Sequence, residues 1–215
     1  MSMRSREGWN HNSHYHDWLM RHLPRRFERG LDVGCGQGFF ASRLAEVADR
    51  IDALDVDADI LAEASKLHPS AGVAFHRGDF LEMKLPPDAY DVVTSIAALH
   101  HMNLVRALAE MKRILRPGGH LAILGLYHEA SLVDYAVSLV AIPASLVRTH
   151  LLPRNGGTAP VTAPTRNPTL SLSQIRRSVA AVLPGAQVDR HLYWRYSLLW
   201  QKPFGWAAAE TPRGR

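Results

Sequence analysis

Leu31-Asp32-Val33-Gly34-Cys35-Gly36-Gln37-Gly38 decides the fold. An apolar run ends on Asp32 and Val33, and glycines stand at 34, 36 and 38. Such a stretch reads as a strand that turns sharply into a helix while a ligand lies against the backbone. Glycine permits positive φ there and removes the Cβ that would hold the ligand away. Gly36-Gln37-Gly38-Phe39-Phe40-Ala41 also fits the looser glycine pattern of dinucleotide-binding folds, so the turn alone leaves two ligand classes open.

Outward from this turn, strands alternate with helices. Residues 29–33 read as the first strand, 51–56 as the second, 73–76 as the third, 90–96 as the fourth and 120–126 as a buried fifth. Helices are expected at about 39–48, at 57–67 and along Leu104, Leu108, Met111 and Leu115, the last stopped by Pro117-Gly118-Gly119. After a helix at 171–183, residues 187–192 and 195–201 stand too close together for a helical crossover and are expected to pair antiparallel. The expected class is α/β: a Rossmann-like, seven-stranded, mostly parallel sheet with an antiparallel last strand and helices on both faces.

The 215 residues suit a single domain over 1–215, with an N-terminal cap helix at about 15–23 and an insertion at about 127–168. The insertion comprises an apolar helix at 131–147, broken at Pro143, and a segment 153–168 holding four prolines and two glycines. That segment would let the apolar helix move as a lid; a fixed wall or a homodimer contact is the alternative. The one cysteine, Cys35, excludes an internal disulfide and fits a reducing cytoplasm. No signal-peptide core precedes residue 30, and the longest apolar stretch is too short to span a bilayer, so a soluble protein is expected. The net charge of +5 is spread along the chain, which argues against nucleic acid as the partner. The His-rich run His11–His16 matches no zinc spacing, so no metal is expected.

Three features separate the two ligand classes. Asp32 is badly placed for a pyrophosphate and well placed for a cation. Gly78-Asp79-Phe80 follows the third strand, offering an acid and a ring for a base. The antiparallel strand at the end departs from the dinucleotide fold. On these residues, with Leu54-Asp55-Val56-Asp57, Tyr90-Asp91-Val92-Val93 and Leu115-Arg116-Pro117-Gly118-Gly119, the chain resembles the class I S-adenosylmethionine-dependent methyltransferases, in the methyltransferase type 11 or ubiquinone/menaquinone-methylase-like branch. The resemblance spans about residues 29–126 well and 171–203 loosely.

The resemblance implies S-adenosylmethionine as cofactor and a site residue by residue. Gly34, Cys35, Gly36 and Gly38 would line its methionine and ribose portion, and Asp32 would hold the amino group. Asp55 would take the ribose hydroxyls and Val56 would pack on adenine. Asp79 would accept from the adenine amine, with Phe80 beside the ring, unless Phe80 is simply core. Ser95 would sit near the methionine, and Tyr15 or His16 would reach the site from the N-terminal helix. His100 and His101, after the fourth strand, are the candidates for a general base, with structural roles as the alternative. The acceptor would be a small, hydrophobic molecule, with oxygen favoured over nitrogen or carbon. Arg148, Arg154 and Arg166 are candidates for an acidic group on it, or solvated loop residues. A non-catalytic binding module and a nicotinamide-dependent oxidoreductase are the competing functions.

Overall fold

The computed structural model describes residues 11–69, 72–128 and 167–205. A short 3-10 turn (Ser13–Tyr15) leads into α1 (His16–Arg21). The order is then β1 (Phe27–Val33), α2 (Phe39–Leu44), β2 (Ala48–Asp55), α3 (Ala58–Leu67), β3 (Val73–Arg77) and β4 (Tyr90–Ile96). A second 3-10 turn (Leu99–His101) precedes α4 (Leu104–Ile114), β5 (Leu115–Leu126), α5 (Leu172–Val182), β6 (Gln187–His191) and β7 (Arg195–Gln201). The seven strands form one sheet in the order β3-β2-β1-β4-β5-β7-β6. The pairs from β3 to β5 are parallel, and β7 pairs antiparallel with both β5 and β6. Going from β1 to β2 and from β1 to β4, the chain builds outward in opposite directions. The crevice at the carboxyl ends of β1 and β4 is therefore the switch point at which such sheets bind ligands.

Both faces of the sheet are covered, which is why the central strands are apolar on consecutive positions rather than on alternate ones. On one face Leu31, Val33, Val93 and Leu121 pack with Leu108 and Met111 of α4 and Ile175 and Val179 of α5. On the other, Ile51, Val92 and Leu124 pack with Leu19 of α1 and Phe40 and Leu44 of α2. Helix starts follow capping chemistry. The Asp57 carboxylate accepts from Asp59 and Ile60 N–H groups, and Ser171 with Gln174 forms a capping box on α5.

Two boundaries differ from the sequence reading. Helix α2 ends at Leu44 instead of about 48, and β2 begins at Ala48, because Ala48 pairs with Phe27 and extends the β1–β2 ladder downward. Strand β5 begins at Leu115, on the last expected residue of α4. Leu115 pairs with Tyr90, and the register then jumps to Val92 with His120, so Pro117-Gly118-Gly119 forms an irregularity within the strand instead of a loop before it. Gly118 takes φ +80 there. Lys202, 2% exposed, closes this end by donating to Asp88 Oδ1 and the Leu115 carbonyl, both at 2.7 Å.

Of the expected insertion, 129–166 lies outside the described residues, and with it the helix at 131–147 and Arg148, Arg154 and Arg166. Its two ends are together: His128 N–H donates to the Leu170 carbonyl at 2.8 Å, and His128 bridges Ser171. Among the described residues no helix is long and apolar enough to cross a membrane.

Candidate active site

The glycine turn runs out of the carboxyl end of β1. Gly34, Gly36 and Gly38 have φ of +72, +52 and +76, the left-handed region in which a side chain is strained. Gly34 also has no room: a Cβ there would stand 2.2 Å from the Ala98 Cβ. Gly36 is the opposite case, since a Cβ there would meet nothing within 4 Å. The turn therefore presents bare backbone to open space. Gly34 and Cys35 N–H groups donate to the Leu54 carbonyl at 2.7 and 3.0 Å, which pins the turn to the end of β2. The Cys35 thiol is half-buried, and burial, reinforced by the nearby Asp32 and Asp55 charges, pushes it up and out of reach of ionisation.

Asp55, the last residue of β2, lies against this turn. Its Oδ2 accepts from Gly36 N–H at 2.9 Å and its Oδ1 from Asp57 N–H at 3.1 Å. An ionised carboxylate has about four acceptor positions, so two protein donors leave it able to bind more. Val56 follows it and is 61% exposed, an apolar side chain uncovered at the same edge. Asp79, after β3, is exposed and accepts from Leu81 N–H at 2.8 Å.

Asp32 is the most confined acid, at 1% exposure. Thr94 Oγ1 donates to it at 2.8 Å, and no Lys or Arg among the described residues pairs with it. Burial pushes its carboxyl up to about 6; the Thr94 hydrogen bond and His16 act in the opposite direction, and the Asp55 charge adds to the rise.

Two expected ligand contacts are instead enclosed by protein. Phe80 is 1% exposed and belongs to the core with Leu54 and Val93, so the alternative of a core residue describes its place. Ser95 is fully buried, and its hydroxyl donates to the Val33 carbonyl at 2.9 Å, tying β4 to β1 instead of facing the crevice. Tyr15 is buried as well. Its hydroxyl donates to the Leu192 carbonyl at 3.1 Å, and its acidity is pushed to about 12, by burial first. It fixes the N-terminal segment against the turn between β6 and β7.

His100 and His101 sit on the 3-10 turn after β4, with ring centroids 4.0 Å apart. Ala97, just before it, takes φ +54, and this unusual conformation swings the chain out over the carboxyl edge. The two rings differ. His101 is exposed, whereas His100 is half-buried and its Nδ1 is buried with no hydrogen-bond partner among the described residues. Burial, then the neighbouring His101 and Arg195, push His100 down to about 4, so its imidazole is neutral at neutral pH. It lines a small cavity of about 40 Å³ with Met102, Leu126, Thr169, Leu170, Ile175 and Tyr196.

Arg195 was not singled out by sequence reasoning. It opens β7, opposite Leu126 at the carboxyl end of β5, and is 8% exposed. The only sequence signal was a charged residue at the head of an otherwise apolar strand, directly after Tyr193 and Trp194. Those two aromatics carry φ of +61 and +58, in a turn that stacks Tyr193 on His11.

Comparison with known proteins adds the following. Residues 31–123 match the family model described as a methyltransferase domain. An uncharacterized methyltransferase of Mycobacterium bovis is 34% identical over 196 residues, covering 91% of this chain and 98% of that protein. A malonyl-[acyl-carrier protein] O-methyltransferase of Enterobacter lignolyticus is 37% identical over 108 residues, 49% of this chain and 42% of that one. Among solved structures, the DhpI–SAH complex matches with a TM-score of 0.60 at 19% identity, over 89% of this chain and 85% of that chain.

Proposed function

From the premise that the chain belongs to the class I S-adenosylmethionine-dependent methyltransferases and uses that cofactor, we propose that it methylates a small, largely apolar acceptor at oxygen. The observation that carries this reading is the pairing of an open glycine backbone with an uncommitted carboxylate. Gly36 faces open space beside Asp55, which has two protein donors and room for more. Asp32, a buried acid that no Lys or Arg among the described residues pairs with, stands just before the turn. Those are the groups a ribose and an ammonium require, and they offer nothing to a pyrophosphate, which disfavours the nicotinamide alternative.

In this reading Gly34, Cys35, Gly36 and Gly38 form the backbone floor under the cofactor, and Asp32 receives its ammonium. Asp55 takes the ribose hydroxyls, the exposed Val56 covers one face of the adenine, and Asp79 accepts from its amine. The cofactor supplies an activated methyl on a sulfonium. The protein's task is thus alignment and exclusion of water more than activation. His100 acts on the acceptor side. Its neutral ring is a weak base, and its buried Nδ1 has no hydrogen-bond partner among the described residues. In this reading it holds an acceptor hydroxyl in line. The O-methyltransferase of Enterobacter lignolyticus supports oxygen as the acceptor atom. A single domain over 1–215 is part of the proposal.

Calorimetry with S-adenosylhomocysteine, followed by turnover of S-adenosylmethionine against a panel of apolar alcohols, phenols and acids, tests this reading. Binding without turnover of any acceptor in the panel would favour the non-catalytic module.

A further inference from the structure

Asp32 and Thr94 stand opposite each other in the β1–β4 ladder, on the same face of the sheet as Val92. Both are enclosed, at 1% and 0% exposure. Thr94 Oγ1 lies 2.8 Å from Asp32 Oδ1 and 3.4 Å from the Leu31 carbonyl oxygen. Among the described residues Thr94 is the one hydrogen-bond donor to Asp32. Valine has nearly the same shape and suits a strand equally well, so what distinguishes Thr94 is its hydroxyl. A buried hydroxyl is costly unless it is bonded. Ser95, the next residue, gives its proton to the Val33 carbonyl. The Thr94 proton instead has two acceptors of different kinds, a carbonyl that never titrates and a carboxylate that does.

Two acceptors make two arrangements. With Asp32 ionised, the Thr94 O–H points to Oδ1. With Asp32 protonated, its O–H donates to Thr94 Oγ1, and Thr94 turns its own proton to the Leu31 carbonyl. A hydroxyl is one donor and two acceptor positions, so both arrangements keep the two side chains bonded to each other. Oδ2 takes no bond from the described residues in the ionised arrangement and is left for a ligand. The titratable groups facing Asp32 are His16 of α1, Asp55 at the end of β2 and the Cys35 thiol on the turn. Thr94 is bonded to none of them. Burial raises the Asp32 carboxyl to about 6 and the Thr94 bond opposes the rise, so both arrangements are populated near that pH.

We propose that Thr94 is a positioning residue for the cofactor: its hydroxyl turns between Asp32 and the Leu31 carbonyl, holds the Asp32 carboxyl in one place with or without a proton, and lets that proton leave to solvent when the ammonium binds. This rests on the reading above in which Asp32 receives the ammonium. The O–H bond of Asp32 breaks, water takes the proton, and the ammonium keeps all of its own.

Calorimetry in buffers of differing ionisation enthalpy counts the protons exchanged on binding. At pH 6, S-adenosylhomocysteine should release about half a proton, and 5′-methylthioadenosine, which lacks the amino acid portion, should release none. Thr94→Val should move the midpoint of S-adenosylhomocysteine affinity against pH upward by about one to two pH units. Its proton release at pH 7 should exceed that of the unaltered protein at least about threefold. Thr94→Ser should behave as the unaltered protein does. A merely structural role would lower affinity equally at every pH and leave proton release unchanged. No release from the unaltered protein at pH 6, an unmoved midpoint in a folded Thr94→Val protein, or a midpoint in Thr94→Ser displaced as far as in Thr94→Val would each overturn the proposal. The first of these needs no variant, so the proposal stays exposed even if Thr94→Val does not fold. Asp32→Asn tests the premise separately. It should weaken S-adenosylhomocysteine at least about tenfold and leave 5′-methylthioadenosine within about threefold. Equal effects on the two ligands would overturn the ammonium reading of Asp32 itself.

Discussion

The backbone N–H of Gly36 donates to Asp55 Oδ2 at 2.9 Å, so the acid at the end of β2 holds the glycine turn at the end of β1. Asp55 thus has two duties: it shapes the turn, and in the proposed function it binds ribose. Charge-assisted hydrogen bonds are worth about 1.5–3 kcal/mol each. Asp55→Ala is expected to weaken S-adenosylmethionine binding about ten- to a hundredfold or more. Asp55→Asn, which keeps an acceptor for Gly36, should lose less. Calorimetry on both variants checks this, and unchanged affinity in a folded Asp55→Ala protein would remove Asp55 from the site.

Asp32 should show a trade of stability for binding. Its carboxyl is raised to about 6, above its unfolded value, so the fold favours the protonated form. The protein therefore loses stability as pH rises from about 4 to about 6, and the penalty is complete at neutral pH. Asp32→Asn removes the charge and is expected to stabilise the free protein at pH 7 by up to about 3 kcal/mol. The same change should weaken cofactor binding. In the unaltered protein, affinity for S-adenosylmethionine should fall as pH drops below about 6, because Asp32 must then lose a proton to meet the ammonium. Urea unfolding and calorimetry between pH 5 and 7.5 provide the check; a destabilised Asp32→Asn protein would contradict the argument.

His100 should stay neutral across the physiological range. With its ring pushed down to about 4, the imidazole carbon-bound protons should titrate below pH 5 in a nuclear magnetic resonance experiment. A base that weak gives no rise in rate between pH 6 and 8. His100→Ala is expected to lower turnover about ten- to a hundredfold through lost alignment, less than the 10²–10⁴ typical of a lost general base. A midpoint near 6.5, together with a rate that climbs through it, would restore the general-base role.

Gly34 is the most demanding glycine in the turn. A Cβ would meet the Ala98 Cβ at 2.2 Å, and φ is +72. Gly34→Ala combines overpacking with left-handed strain and should cost about 2–4 kcal/mol in chemical unfolding. Gly36→Ala meets no atom within 4 Å, so it should cost only the strain of φ +52, about 1–2 kcal/mol. The larger effect of Gly36→Ala should be on cofactor affinity. Equal losses of stability at the two positions would mean that the turn relaxes away from Ala98.

The sheet was legible in the sequence because parallel strands buried on both faces leave uninterrupted apolar runs, as in Leu31–Val33 and Leu121–Leu124. The glycine turn was legible because positive φ admits few other residues. What composition and spacing did not reveal were features that depend on distant partners. Phe80 and Ser95 stand next to motif residues, but the core and the Val33 carbonyl had first use of them. The start of β5 was hidden because Leu115 satisfies a helical repeat and a strand pairing equally well. Arg195 was hidden for a related reason. Its burial depends on its neighbours, and one chain read linearly does not say which residues those will be. Asn12, its partner, is 183 positions away.

The bond from Tyr15 to Leu192 spans 177 positions of chain. Synthesis proceeds from the first residue onward at about 5–20 residues per second, so roughly 10–35 s separate the appearance of its two halves. The glycine turn, Asp55 and the β1–β4 crevice emerge early and can assemble while translation continues. The bonds of Tyr15 to Leu192 and of Arg195 to Asn12 cannot form until the β6–β7 hairpin has left the ribosome. The cofactor floor thus precedes these long-range bonds in time, and a nascent chain stalled before residue 190 should capture S-adenosylhomocysteine with the Tyr15–Leu192 bond not yet formed.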